Sequence, residues 1–133
     1  DKINNLIIKS KLTSKIKLLG EYLDIEDILN ISDMFILTSK WEGLPLTILE
    51  ASSFELPILS TDVGGVNEVV KNNKNGFLFK ENEFDKFGNK LVSLINDKNL
   101  CTKFGKESKL IFNKNFSMDK FINNTLDYYN ISK

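Results

Sequence analysis

Two periodicities alternate along the chain. Short, uniformly apolar runs are separated by longer segments in which apolar positions recur every three or four residues. The runs MFILTS at 34–39, PILST at 57–61 and GFLFK at 76–80 predict buried strands, and IKLLG at 16–20, ended by glycine, predicts a fourth. KINNLIIKSKL at 2–12 places Ile3, Leu6, Ile7 and Leu12 at helical spacing, and DIEDILNIS at 24–32 carries its acidic residues at the start, where a helix is electropositive. A helix is predicted from Pro45 through PLTILEASSF, because a first-turn proline gives up an N–H that has no partner there. GGVNEVV at 64–70 predicts a short helix and NNKNG a turn. From residue 83 the pattern is wholly helical: EFDKFGNKLVSLIND, then NLCTKFGKESKLIFNKNF, then MDKFINNTLDYYNI behind Ser117 as N-cap.

Short apolar strands separated by helices indicate a parallel sheet covered on both faces. The predicted fold is α/β: a Rossmann-like parallel sheet of about four strands flanked by helices, with a helical C-terminal tail. No repeat, linker or low-complexity tract divides residues 1–133, so a single domain is expected. Phe84, Phe87, Leu91 and Leu94 share one helix face and are expected in the core; Tyr128 and Tyr129 are expected to dock the last helix. Trp41, at a strand end, reads as packing or as a shield over a ligand.

Composition narrows the chemistry. Lysine supplies all 18 cations against 18 acidic residues, so no net field attracts nucleic acid, and no guanidinium fork is present to grip a phosphate. The absence of histidine removes Ser-His and Cys-His nucleophile systems and His-ligated metal sites; no metal site is expected. Cys101 has no disulfide partner within the chain and reads as a half-buried structural residue, which fits a reducing, cytoplasmic compartment. No apolar run approaches the roughly 18 to 20 residues of a membrane span. The first residue is Asp1 rather than Met, and further chain is expected upstream.

The stretch SKWEGLPLTILEAS sets Glu42 and Glu50 on either side of Gly43 and Pro45, at a strand-to-helix junction. In open parallel sheets ligands bind at such junctions, where helix N-termini present free N–H groups. Gly43 admits close approach of a ligand to the backbone, and the amides of Leu44, Leu46 and Thr47 are placed to face an anion such as a diphosphate. Glu50 lies five residues beyond Pro45, about 7.5 Å along a helix. That interval argues against the close carboxylate pair, about 5 Å apart, of a retaining glycoside hydrolase. It suits two carboxylates gripping the ends of one long polar ligand.

The ordered set EGLPLTILEASSFELPILSTDVGGVNEVVKNNKNGFLF resembles the C-terminal nucleotide-sugar-binding domain of GT-B glycosyltransferases, in particular the retaining group called glycosyltransferase family 4. The motif falls on Glu42, Glu50, Ala51, Pro57, Gly64, Gly65, Glu68, Gly76 and Phe77, and IKLLGEY, ISDMFILTS and FS at 116–117 also match, so that the likeness runs from about residue 16. The resemblance implies that Glu50 binds the donor ribose and that Glu42, the expected catalytic residue, lies beside the transferred sugar. Gly43, Leu44, Pro45, Leu46 and Thr47 would contact sugar and diphosphate, Gly20, Glu21 and Tyr22 would border the base, and Gly64 and Gly65 would lie near the sugar.

By resemblance the chain is the C-terminal part of a transferase that moves sugar from a nucleoside diphosphate to a glycan or lipid-linked acceptor in polysaccharide or cell-envelope biosynthesis. No cofactor beyond the donor is implied. The acceptor would be held by an N-terminal domain outside this chain, and the full protein would be cytoplasmic, with peripheral association at the inner membrane face. The family's donor domain begins with two further β-α units bearing an Arg and a Lys that neutralise the diphosphate; no lysine here matches that pair, and the isolated chain is expected to be inactive. In the family's sheet order, 3-2-1-4-5-6, two absent strands separate 16–20 from 34–39. The family usually has glycine where Glu55 stands and often methionine at Ser52. Glu68 and the Gly64–Gly65 pair also have purely local readings, as a helix-capping residue and a tight turn. Alternative functions are a non-catalytic remnant or nucleotide-binding interaction module and, behind it, a nucleotide-sugar epimerase, which relies on histidine.

Overall fold

Three parallel strands, β1 (Phe35–Leu37), β2 (Ile58–Thr61) and β3 (Gly76–Phe79), lie side by side in the order β1-β2-β3. Phe35 pairs with Ile58, and Ile58 with Gly76. The structure, a computed structural model, describes residues 2–129. The helices are α1 (Lys2–Lys9), α2 (Ile25–Asn30), α3 (Leu46–Ser53), α4 (Val66–Val69), α5 (Phe84–Asn96), α6 (Lys98–Asn115) and α7 (Met118–Tyr128). Ser117 caps α7 as expected, accepting from the Lys120 amide at 3.3 Å; the predicted end of that helix at Asn130 and Ile131 lies outside the described residues.

Strand alternation sends successive residues to opposite faces. Ile58 joins Ile48 of α3 and Val66 and Val69 of α4 in one cluster, while Leu59 joins Phe77, Phe79, Leu94 of α5 and Phe104 of α6 in the other. Burying each such side chain contributes about 1.5–3 kcal/mol, so the two clusters hold the layers together. α6 crosses the amino ends of the strands. A Cβ on Gly105 would stand 1.9 Å from the Glu55 carbonyl oxygen, and the Ser108 hydroxyl donates to the Asn75 carbonyl at 3.3 Å. Glu55 and Asn75 shortly precede β2 and β3, so α6 closes that end of the sheet and leaves the carboxyl ends for a site.

Four expectations are corrected. Residues 16–20 form no strand: Ile16, Leu18 and Leu19 are exposed in an irregular stretch, because a strand needs a hydrogen-bonded neighbour and none of the described residues provides one. The first helix stops at Lys9 rather than residue 12, where Lys11 turns left-handed (φ 55°) and the Leu12 amide donates back to Ile7. Phe84 is 71% exposed, since it opens α5 ahead of the turns that lie on the sheet; Phe87, Leu91 and Leu94 do pack there. Tyr128 is 82% exposed and Tyr129 is also exposed, their rings meeting edge to face rather than docking α7.

Glu55 explains itself by backbone. Its φ of 58° places it at the left-handed position past α3, with the Glu55 amide donating to Ser52 and the Leu56 amide to Ala51, both at 3.2 Å. Leu56 then packs beside Ala51 and Leu29. Glycine is the residue that this helix ending favours. Nearby, Ser52 is fully buried, and its hydroxyl has no hydrogen-bond partner among the described residues.

Candidate functional site

The loop between β1 and α3 carries the paired glutamates. Pro45 is buried and has an extended backbone (φ −71°, ψ 117°), so it precedes the helix as N-cap, with Leu46 as the first helical residue. This shifts the predicted helix start by one position. A proline side chain has nothing to accept with, and only the Ile48 amide turns back, donating to the Pro45 carbonyl at 3.2 Å. The Leu46 and Thr47 amides are thus left without a capping side chain at the positive end of α3. Glu50 stands exposed on the second turn, four residues or about 6 Å beyond Leu46. Glu42 is half-buried in the loop.

The turn after β2 braces this loop. Gly64 has φ 51°, and a Cβ there would come within 1.8 Å of the Glu42 carbonyl oxygen. The Gly65 amide donates to the Gly43 carbonyl at 2.6 Å. The Gly64–Gly65 pair therefore does more than turn the chain: it lets two backbones touch directly beneath Glu42. The same bond removes the capping reading of Glu68, because the Gly65 amide that its side chain would accept from is already engaged. Gly43 differs. A Cβ there would meet nothing within 4 Å, so the protein's own packing does not demand glycine, and the open space faces whatever binds.

Two further tethers hold the loop nearer its start. The Thr61 hydroxyl, at the end of β2, donates to the Ser39 carbonyl at 2.6 Å. Lys40 pairs with Glu81, past β3, at 2.8 Å. Both partners are exposed, and the hydrogen bond to Glu81, followed by its charge, raises the Lys40 pKa. Just beyond these tethers Trp41 is 85% exposed, so it is not packed at the strand end. Sequence reasoning passed over Thr61 and Ser39; a hydroxyl closing the apolar run PILST is the only signal the chain offered.

Gly20, Glu21 and Tyr22 lie exposed in the irregular segment before α2, Gly20 with φ 66°. No hydrogen bond or salt bridge among the described residues ties them to the Glu42–Glu50 segment, so the structure does not unite them with it. On the α5 side, Thr38, Thr61, Phe79, Phe84 and Phe87 line a cavity of about 110 Å³. Ligand pockets usually enclose about 300–1,000 Å³, so this cavity is too small for a nucleotide sugar. Around Glu42, Gly43, Leu44, Leu46, Thr47 and Glu50 are exposed and form an open ledge.

Known proteins are similar to this chain in sequence and in fold. The Escherichia coli UDP-Gal:alpha-D-GlcNAc-diphosphoundecaprenol alpha-1,3-galactosyltransferase is 47% identical over 87 residues, 65% of this chain and 22% of that protein. Among solved structures, TarM superposes with a TM-score of 0.87 at 24% identity, covering 98% of this chain and 26% of that one. Anabaena HepE in complex with UDP-glucose superposes with a TM-score of 0.84 at 24% identity, covering 96% and 36%. The chain thus spans between 22% and 36% of the length of these relatives. Their fold is the GT-B architecture implied by the sequence motif. The family model described as "Glycosyl transferases group 1" matches residues 1–110, and the chain belongs to that family.

Proposed function

We propose that the ledge at the carboxyl ends of β1 and β2 binds a uridine diphosphate sugar, and that the chain is the donor-binding part of a retaining glycosyltransferase of family 4 type. The observation that carries the reading is the α3 start. Two uncapped amides, Leu46 and Thr47, lie between Glu42 and Glu50 beside a glycine whose outer side is open space. A diphosphate satisfies those amides and the helix dipole. A ribose offers two hydroxyl donors to the acceptor-only carboxylate of Glu50. Glu42 then stands beside the transferred sugar, with Gly43, Leu44 and Pro45 shaping the passage between them. Uridine is supported by the names of the relatives, which include a UDP-Gal transferase and proteins solved with UDP and UDP-glucose.

In this reading the chain works by orientation and electrostatics. The amides meet the charge that grows on the leaving diphosphate as the bond from sugar to phosphate lengthens, and Glu42 fixes the sugar for attack by the acceptor hydroxyl. The reaction uses the donor as its only small-molecule partner, with no resident metal. Acceptor binding and the basic pair belong to further chain, and the acceptor is a glycan or a lipid-linked glycan met at the inner membrane face. The diphosphoundecaprenol acceptor in the name of the E. coli relative supports that class. Gly64 and Gly65 act by holding the loop, and Gly20, Glu21 and Tyr22 border the base once donor is bound.

Calorimetric titration of the chain with UDP, ADP, GDP and their glucose conjugates tests the reading. Saturable binding of UDP and UDP-sugars ahead of the purine compounds is expected. Binding to none of them would contradict a donor site on this chain.

A further inference from the structure

We propose that the Thr61 hydroxyl is a positioning residue for the sugar end of the site, acting through the Ser39 carbonyl to fix the loop that carries Glu42. The loop from 38 to 45 has no regular structure and no side-chain cap at the helix that follows, so its shape must come from tethers. Three are present among the described residues, and they differ in kind. The Gly65 amide holds Gly43 on the downstream side of Glu42. The Lys40–Glu81 pair is exposed at both ends, and exposed ion pairs are weak and screened by salt. The Thr61–Ser39 bond is part-buried and 2.6 Å long, and it links the ends of two adjacent strands that are already in register.

It is therefore the upstream anchor that the sheet itself backs. Glu42 sits between this anchor and the Gly43 carbonyl, three residues beyond one and one residue before the other. The diphosphate and ribose positions on α3 do not depend on the Thr61–Ser39 bond, because the helix is held by Ile48 and Ala51 in the core. Loss of the Thr61 hydroxyl should loosen the sugar end and spare the nucleotide end.

The chain supplies its own reporter. Trp41 is the single tryptophan, it lies on this loop, and it is exposed. Time-resolved fluorescence anisotropy of Trp41 in wild type, Thr61→Val and Thr61→Ser reads the tether without any ligand. Thr61→Val, which keeps the shape, should increase the nanosecond loss of anisotropy, and Thr61→Ser, which keeps the hydroxyl, should not. Thr61→Ala serves as a second variant if valine disturbs Phe79 and Phe87 in the neighbouring cavity.

The ligand readout rests on the donor-site reading. It is the ratio of affinities for UDP and for the best-bound of UDP-glucose, UDP-galactose and UDP-N-acetylglucosamine. One lost hydrogen bond should cut the sugar's share by about fivefold in Thr61→Val, with UDP affinity unchanged and Thr61→Ser restoring the ratio. Equal Trp41 motion in all variants, or a serine variant that behaves like valine, overturns the proposal. So does a looser loop with an unchanged ratio. A wild type that binds no UDP while Thr61→Val still frees Trp41 supports the tether and contradicts the donor reading instead.

Discussion

The amide of Gly65 donates to the carbonyl of Gly43 at 2.6 Å, so the turn after β2 grips the loop after β1 by its backbone. Its neighbour Gly64 makes that contact sterically possible. Gly64→Ala would need a left-handed alanine and would push a Cβ to 1.8 Å from the Glu42 carbonyl oxygen. The variant should lose about 2 kcal/mol or more in urea unfolding and lose donor binding with it. An unchanged unfolding midpoint would mean that the two loops are not in contact.

Gly43→Ala separates folding from binding. With nothing within 4 Å of the added methyl group, the variant should unfold within about 0.5 kcal/mol of wild type. In the proposed donor site, however, the methyl group would stand where the sugar diphosphate passes. UDP-sugar affinity should fall by about tenfold or more as a contact with the ligand is blocked. Wild-type affinity together with wild-type stability would show that the ligand does not approach Gly43.

Glu55 occupies the left-handed position that ends α3. Glu55→Gly should raise stability by about 1 kcal/mol, since glycine adopts this conformation without the steric cost borne by a residue with a Cβ. Chemical denaturation measures the shift, and a destabilised variant would contradict the assignment of strain there.

Cys101 donates to the Asp33 carbonyl at 3.3 Å, and burial, followed by the Asp33 charge, raises its pKa. The unfolded thiol therefore loses its proton first as pH rises. The contribution to stability is complete below the ordinary thiol range and falls as pH climbs from that range toward the raised folded value. Reaction of the native chain with a disulfide reagent should be slower than that of the urea-unfolded chain between about pH 7 and 9, because the thiolate is the reacting form. Equal rates would remove the burial argument.

Much of this was legible in the chain. β2 and β3 announce themselves as apolar runs because a strand covered on both faces has no polar side to show. The run at 34–39 gives the same signal, yet β1 lies at the sheet edge and leaves Ile36 exposed, so the expectation of a fully buried strand is corrected there. The Glu42–Glu50 motif points the candidate site to one junction. The strand expected at 16–20 failed because pairing belongs to two segments, and a sequence run displays only one of them. Phe84 follows the helical spacing faithfully, yet periodicity marks a face and not how far along that face the sheet extends. Glu55 stands in the sequence as a departure from the glycine that the family prefers; only the φ of 58° shows that the departure concerns the backbone. The Thr61–Ser39 bond spans 22 positions, and the hydroxyl that closes PILST does not show which carbonyl it meets.

The central claim is that Glu50 receives the ribose of a nucleoside diphosphate, and a chemical double-mutant cycle tests it most directly. Wild type and Glu50→Ala are each titrated with UDP and with 2′,3′-dideoxy-UDP. Wild type should prefer UDP by about 10- to 100-fold, the worth of hydrogen bonds to a charged acceptor, and Glu50→Ala should bind the two ligands alike. A Glu50→Ala variant that keeps the full preference for UDP would contradict the account.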